Sequence, residues 1–345
     1  MGGSRGTTGR RERRRRSKWL RGLLIGTAIG VPALAHVLIQ RRARPPRPPR
    51  WGRGRRYAGR HGEIAFQALG DAAGPRPPIV LLHSLGPGHD VAEWEAAADL
   101  LAERHAVYAV DLPGWGRSDA PAAFRPRAFV EAIEDFLDGV VREPAIVVAA
   151  GLAAAYALEV AARRPDLVRA LGLVGPQGLE AEAGRPGWMG SAGRAGVRQL
   201  ASLPLVGTTA LDLATSRAAL AHHLRSEVYA APERVDAALV EHHYRGSHLP
   251  RARRALAAYL AGRLRPAAAE LAADAAALAQ PVWIAWGREA AQPPVDCADL
   301  WLQRLPGAAL DVFEGAGGLP HAESPAAFCR ALEAFLDGLP ADPPR

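Results

Sequence analysis

From Tyr57 onward, short runs of uninterrupted apolar residues alternate with longer stretches whose apolar positions recur every three or four residues. The short runs are Pro78–His83, Ala106–Asp111, Ala145–Ala149, Ala170–Val174, Val282–Trp286 and Ala309–Phe313. A strand that is apolar on both sides is buried on both sides, the habit of a parallel sheet between layers of helix. The amphipathic stretches Arg127–Val141 and Leu152–Arg164 supply such helices, so the repeating unit is βαβ and the class is α/β. The alternation breaks once. Residues 178–280 carry helical patterns interrupted by Gly and Pro and no strand-like run, which predicts a helical insertion between two parts of one core, 57–177 and 281–345.

The first 56 residues follow another rule. A basic tail (1–18) leads into an apolar segment (19–40) and then into a Pro/Arg-rich stretch (41–56) expected to stay extended and solvated. Gly22–Ile39 carries no formal charge, and eighteen residues lie at the short end of what a bilayer-spanning helix needs. The segment also fits a helix lying on a membrane and held by its arginines. A third fit is a secretory signal cut after Ala33-Leu34-Ala35, although the basic flank that follows is unusual after a cleavage site. A retained membrane anchor is the favoured expectation, and arginine on both sides leaves its orientation unset.

Charge sharpens this division. The 345-residue chain has a formal net charge of +8, which invites a nucleic-acid reading. However, residues 1–56 hold 17 basic residues and one acid, so the body that follows is net negative, at −8. A basic tail beside an apolar run points to a membrane surface, and no basic aromatic face is present to bind nucleic acid. Nearly all the cations are Arg and Ala is abundant, the coding bias of a GC-rich, bacterial genome. Cys297 and Cys329 have no metal-binding spacing and are expected as small buried hydrophobes. The pairs His222/His223 and His242/His243 are adjacent in helices and so diverge, which fits solvated or insertion-lining side chains better than metal ligands. No metal and no cofactor is expected.

Four segments carry a resemblance. LLHSLGPG (81–88) with Trp94, DLPGWGRSD (111–119), AARRPDLVRALGLVGP (161–176) and LPHAESPAAFCRALEAFL (319–336) occur in this order. Together they resemble the α/β-hydrolase superfamily, in the branch with a helical cap, over about residues 60–340. The resemblance implies a mostly parallel sheet, a cap over the site, and a catalytic trio of nucleophile, acid and histidine. It also implies that Ser118 and Asp119 belong to a structural loop.

Where that trio belongs, this chain departs from the pattern. The nucleophile elbow G-x-S-x-G falls on Ala149-Ala150-Gly151-Leu152-Ala153, which puts Gly151 at the nucleophile position. The acid position after VWIAW is Ala290, and the histidine position before the last helix is Gly318. The oxyanion hole is backbone in this family, so the N–H groups of Leu85 and Leu152 are expected to persist, with Trp115 at the pocket. A relocated trio of Ser84, His321 and Glu289 can be written down, although LPHAE resembles a family sequence in which that histidine is a structural companion. Two readings remain. One is a membrane-associated pseudo-hydrolase that binds a small apolar molecule, lipid or partner; the other is an active hydrolase of esters or related acyl compounds.

Overall fold

The computed structural model of the chain describes residues 46, 48–179 and 210–340. Eight strands form one sheet: β1 (Arg53–Gly59), β2 (Gly62–Leu69), β3 (Ile79–Leu82), β4 (Val107–Val110), β5 (Ala145–Ala150), β6 (Val168–Val174), β7 (Val282–Gly287) and β8 (Ala309–Phe313). Their order is β1-β2-β4-β3-β5-β6-β7-β8. β2 runs antiparallel to both β1 and β4, and the pairings from β4 across to β8 are parallel. The six apolar runs of the sequence are β3 to β8.

Their unbroken apolarity has a direct cause. Successive residues of a strand face opposite sides of the sheet. In β5, Ala145, Val147 and Ala149 enter one apolar cluster, while Ile146, Val148 and Ala150 enter the other. β7 divides likewise, with Val282, Ile284 and Trp286 on one face and Trp283 and Ala285 on the other. Helices Pro126–Phe136 and Ala153–Arg163 cover the first face; Glu95–Leu101 and Pro325–Asp337 cover the second. Each large side chain fully buried here, such as Phe129 or Phe328, stabilises the fold by about 1.5–3 kcal/mol.

β1 and β2 escape a reading built on apolar runs. β1 reads RGRRYAG and lies at the sheet edge with Arg53, Arg55 and Arg56 exposed. Residues 53–56, expected in the solvated spacer, are therefore the first half of a strand. Register with β2 and an Arg56–Glu63 ion pair at 2.8 Å order them. A charged edge strand also discourages pairing with other chains.

Residues 210–281 contain no strand, as the insertion predicts. Among its described residues the α-helices include Arg217–His223, Ala237–Ser247, Pro250–Leu260 and Ala268–Ala277. The last one sends Leu271 and Ala275 into the cluster that holds Tyr156. The cap is seated by polar contacts: His243 Nδ1 donates to Pro87 O (2.7 Å), and Arg251 donates to Gly116 O (2.7 Å). Tyr156 in turn donates its hydroxyl proton to Leu264 O (2.7 Å). Gly88 lets the cap helix approach closely, because a Cβ there would stand 2.1 Å from His243 O. The apolar segment 19–40 and residues 180–209 of the insertion lie outside the described residues. Among the described residues, no helix is long and apolar enough to cross a membrane.

Candidate functional site

The end of β5 turns sharply into helix Ala153–Arg163 at Gly151, whose φ is +59°. A residue with a Cβ held there costs about 1–3 kcal/mol, and glycine avoids that cost. Neighbours on either side must be small, and Ala149 and Ala153 are fully buried. Hydrogen bonds pin the turn: Gly151 N–H donates to Val174 O (2.8 Å), and Gly151 O accepts from Gln177 N–H (3.1 Å). A Cβ built on Gly151 would lie 3.4 Å from Ser84 Cβ and 3.7 Å from Gln177 Nε2. The elbow geometry is present, and a side chain has room there.

Ala290 follows β7, and Gly318 follows β8 just before helix Pro320–Glu323. Gly318 N–H donates to Val228 O of the cap (2.7 Å), and a Cβ on Gly318 would meet that oxygen at an ordinary 3.5 Å. Gly151, Ala290 and Gly318 all line one cavity of about 560 Å³ between core and cap. Most of its wall is apolar, including Leu220, Leu256, Leu260, Trp286, Pro294 and Leu319. The sequence-aligned trio therefore converges in space, yet none of the three residues carries a group able to attack, accept a proton or hold a charge. Leu85 lines the cavity and Leu152 follows Gly151 directly. Their N–H groups have no acceptor among the described residues, which leaves both donors unused.

Other expected site residues fall elsewhere. Trp115 is buried outside the cavity, packs on Phe129, and donates its indole N–H to Gly86 O (2.9 Å). It positions the β3 loop and does not line the pocket. Glu289 is exposed, away from the cavity. His321 is fully buried, stacked on Trp94 with ring centroids 3.7 Å apart. The arrangement Ser84–His321–Glu289 is not formed, because Glu289 is the wrong carboxylate. Ser118 accepts from Ala65 N–H (2.8 Å) and Asp119 from Glu63 N–H (3.1 Å), the structural loop that the resemblance implies.

The carboxylate that does meet Ser84 is Glu93. Its Oε1 accepts from Ser84 N–H (2.7 Å), and its Oε2 accepts from Ser84 Oγ–H (2.8 Å). His89 Nδ1 lies 2.9 Å from Oε2 and 2.8 Å from Ser84 Oγ. His321 Nε2 stands 3.4 Å from Oε1, close for an ion pair and long for a good hydrogen bond. Burial alone pushes Glu93 up, but His321 and His89 outweigh it and hold the group well below the usual carboxylate range. Serine, histidine and glutamate thus touch one another, but around a single ring nitrogen. A working trio instead needs the serine on one nitrogen of the imidazole and the acid on the other.

A second buried polar group sits where the cap meets this loop. Asp90 Oδ1 lies 2.9 Å from His242 Nε2, an ion pair that overrides burial and lowers Asp90. Burial, then the charge of Asp90, pushes Asp111 up to about 6. Burial, then His89, pushes His243 down to about 3. His222 and His223 line the cavity, as expected of insertion-lining residues, whereas His243 is buried rather than solvated. Cys297 and Cys329 are both buried, and they form no disulfide. His89, Glu93 and Gln177 are the site residues that sequence reasoning missed. His89 and Glu93 stand four apart in an otherwise well-read motif, a spacing that was available, but His321, the other histidine beside Glu93, is more than two hundred residues away.

Comparisons agree with this geometry. A sequence profile of the alpha/beta hydrolase fold matches residues 77–324. The uncharacterized protein Rv2715 of Mycobacterium tuberculosis is 29% identical over 281 residues, covering 77% of this chain and 76% of that protein. Among solved structures, a serine hydrolase involved in carbazole degradation superposes with a TM-score of 0.66 at 19% identity, covering 83% of this chain and 98% of that one. The 2-hydroxy-6-oxo-6-phenylhexa-2,4-dienoate hydrolase of Rhodococcus sp. strain RHA1 gives 0.66 at 20% identity, covering 83% and 99%. At these identities the structural likeness establishes the fold.

Proposed function

The chain belongs to the α/β-hydrolase family, and from that premise we propose that it is a membrane-tethered, non-catalytic member that holds a small apolar molecule or lipid beneath its cap. One observation carries the reading: the positions of nucleophile, acid and histidine meet in one roomy cavity and contribute only glycine, alanine and glycine to it. Reactivity is missing where architecture is kept. A volume of about 560 Å³ is that of a ligand pocket, and the apolar wall suits a tail without strong polar features. A backbone oxyanion hole and binding alone leave about 10³–10⁴-fold over water, too little for ordinary turnover.

Ser84 does not repair the loss. Its hydroxyl donates to a carboxylate whose proton affinity two histidines have lowered, whereas a general base works best with a pKa near the operating pH. The tether rests on the apolar segment 19–40, uncharged from Gly22 to Ile39, between basic flanks.

Two measurements test the proposal on the full chain. Serine-reactive phosphonates should leave it unlabelled, and short-chain and long-chain aryl esters should not turn over. Combining Gly151→Ser, Ala290→Asp and Gly318→His should then raise ester turnover by about a thousandfold or more. Labelling of Ser84, or wild-type turnover abolished by Ser84→Ala, would reject the non-catalytic reading in favour of a relocated active site. Deleting residues 19–40 should release the protein from sedimented membranes; retention would remove the tether from the proposal.

A further inference from the structure

The β3 loop holds one nitrogen of an imidazole and leaves the other open. His89 lines the cavity together with Ser84 and Gly86. Its Nδ1 is engaged with Glu93 Oε2 (2.9 Å) and Ser84 Oγ (2.8 Å). Glu93 is ionised and only accepts, so Nδ1 carries the ring proton and Nε2 of the neutral ring is left as an acceptor. Nε2 has no hydrogen-bond partner among the described residues, and unlike both ring nitrogens of His321 it is not sealed from solvent. Gly86 makes room for this edge of the ring, since a Cβ there would stand 2.9 Å from His89 Cδ2 and 3.3 Å from Nε2. His243 packs edge-on against the ring, with centroids 4.9 Å apart. The cap repeats the arrangement: His223 Nδ1 lies 3.1 Å from Glu227 Oε2, and both residues line the same cavity. Burial outweighs Glu227 and pushes His223 down, so this ring too is neutral and its Nε2 accepts.

We infer that His89 Nε2 reads the ligand's head group, and that this head is a hydroxyl on an apolar body, as in a long-chain alcohol. The inference rests on the binding role proposed above and names the chemistry of the head. Among the described residues no group of three or more His, Cys, Asp or Glu side chains is placed to hold a metal ion, so the imidazole acceptors are left to a ligand's donor. A polar atom in a largely apolar wall is costly until it is paired. A hydroxyl gives its proton to Nε2 and leaves the rest of the molecule among Leu220, Leu256, Leu260 and Leu319. An ester or an ether has no proton to give. A carboxylate has none at neutral pH, and it meets Glu227 in the same wall. An ammonium has protons but buries a charge, and Arg265 in that wall opposes it.

The test measures displacement of an environment-sensitive apolar dye from the full chain by four ligands with matched tails: decanol, decyl methyl ether, methyl decanoate and decylamine. The inference expects decanol to bind at least about tenfold tighter than the ether and the ester, and tighter than the amine. His89→Asn keeps an N–H donor in the place of Nδ1 and removes the open nitrogen. Checked for an unchanged unfolding transition, this variant should bind decanol no better than the ether. The wild-type chain carries an independent readout. With 15N-labelled histidine, His89 Nε2 should show the shift of an unprotonated nitrogen and move when decanol binds. Equal binding of decanol and the ether, tighter binding of decylamine, a decanol preference that survives in His89→Asn, or a proton resident on Nε2 would each overturn the inference and leave the binder reading standing. Dye and ligands that fail to bind at all, or an ester that is hydrolysed, would overturn the binder reading and this inference with it.

Discussion

Two loops face each other across the floor of the cavity, and they have opposite contents. The β5 elbow and its partners contribute Gly151, Ala290 and Gly318, with no polar side chain among them. The β3 loop, whose Ser84 Cβ is 3.4 Å from where a Gly151 side chain would begin, carries Ser84, His89 and Glu93 in mutual hydrogen bonds. The difference teaches what each kind of polar group is for. A nucleophile on a left-handed backbone is a stability cost, tolerated where chemistry needs it and lost when it does not. A buried carboxylate ringed by donors is the reverse case, since removing the carboxylate strands the donors around it.

The largest test of that contrast is Glu93→Ala. It leaves Ser84 N–H, His89 and His321 without their shared acceptor, and urea unfolding should report a loss of about 3–5 kcal/mol. A loss below 1 kcal/mol would show that the cluster is not a structural unit.

A pH titration sharpens the polar side of the comparison. His243 is pushed down to about 3 by burial and by His89, with His242 and Asp90 also facing it. Its folded pKa lies below the unfolded value, so the unfolded chain takes up the proton first. The stabilisation is complete above about pH 6.5 and drains as pH falls toward 3. Asp111, raised to about 6, works in the opposite direction between 3.8 and 6 and is common to wild type and variant. His243→Asn keeps a donor for Pro87 O and does not titrate. Between pH 6.5 and 4, wild type should lose about 3 kcal/mol more stability than this variant. Parallel curves would remove His243 from the account.

On the emptied side, Gly151→Ser alone should cost about 1–3 kcal/mol of stability and yield no esterase activity, read by thermal unfolding and aryl-ester assay. A neutral or stabilising effect would mean that the elbow is not strained. The smallest effect belongs to Ser84→Ala, about 1 kcal/mol, because Glu93 keeps its contacts with Ser84 N–H and both histidines.

Much of the fold was legible in the chain because burial on both faces writes itself as continuous apolar runs. β3, β5 and β7 could be read for that reason. β1 could not, because an edge strand has no such requirement and its RGRRYAG looks like more of the basic spacer. The packing of helix Ala268–Ala277 could not be read for a related reason: it is Ala-rich throughout, and composition does not say which neighbour it packs against. Gly151, Ala290 and Gly318 could be matched to the trio's expected positions, since each lies inside a motif with local spacing. Glu289 was chosen as a relocated acid on sequence adjacency alone, and proximity along the chain does not place a side chain in a cavity.

By itself, then, the sequence determined the α/β core and put Gly151, Ala290 and Gly318 inside the motifs where the family's trio is expected. These follow from local periodicity and short-range motifs. Tertiary structure decided that these positions share one cavity, that Glu93 and not Glu289 holds Ser84, and that Gln177 stands unpaired beside Gly151. Those facts depend on contacts between β3, β5, β6 and the last helices, segments brought together by burial of the sheet and not by any pattern within a single stretch of chain.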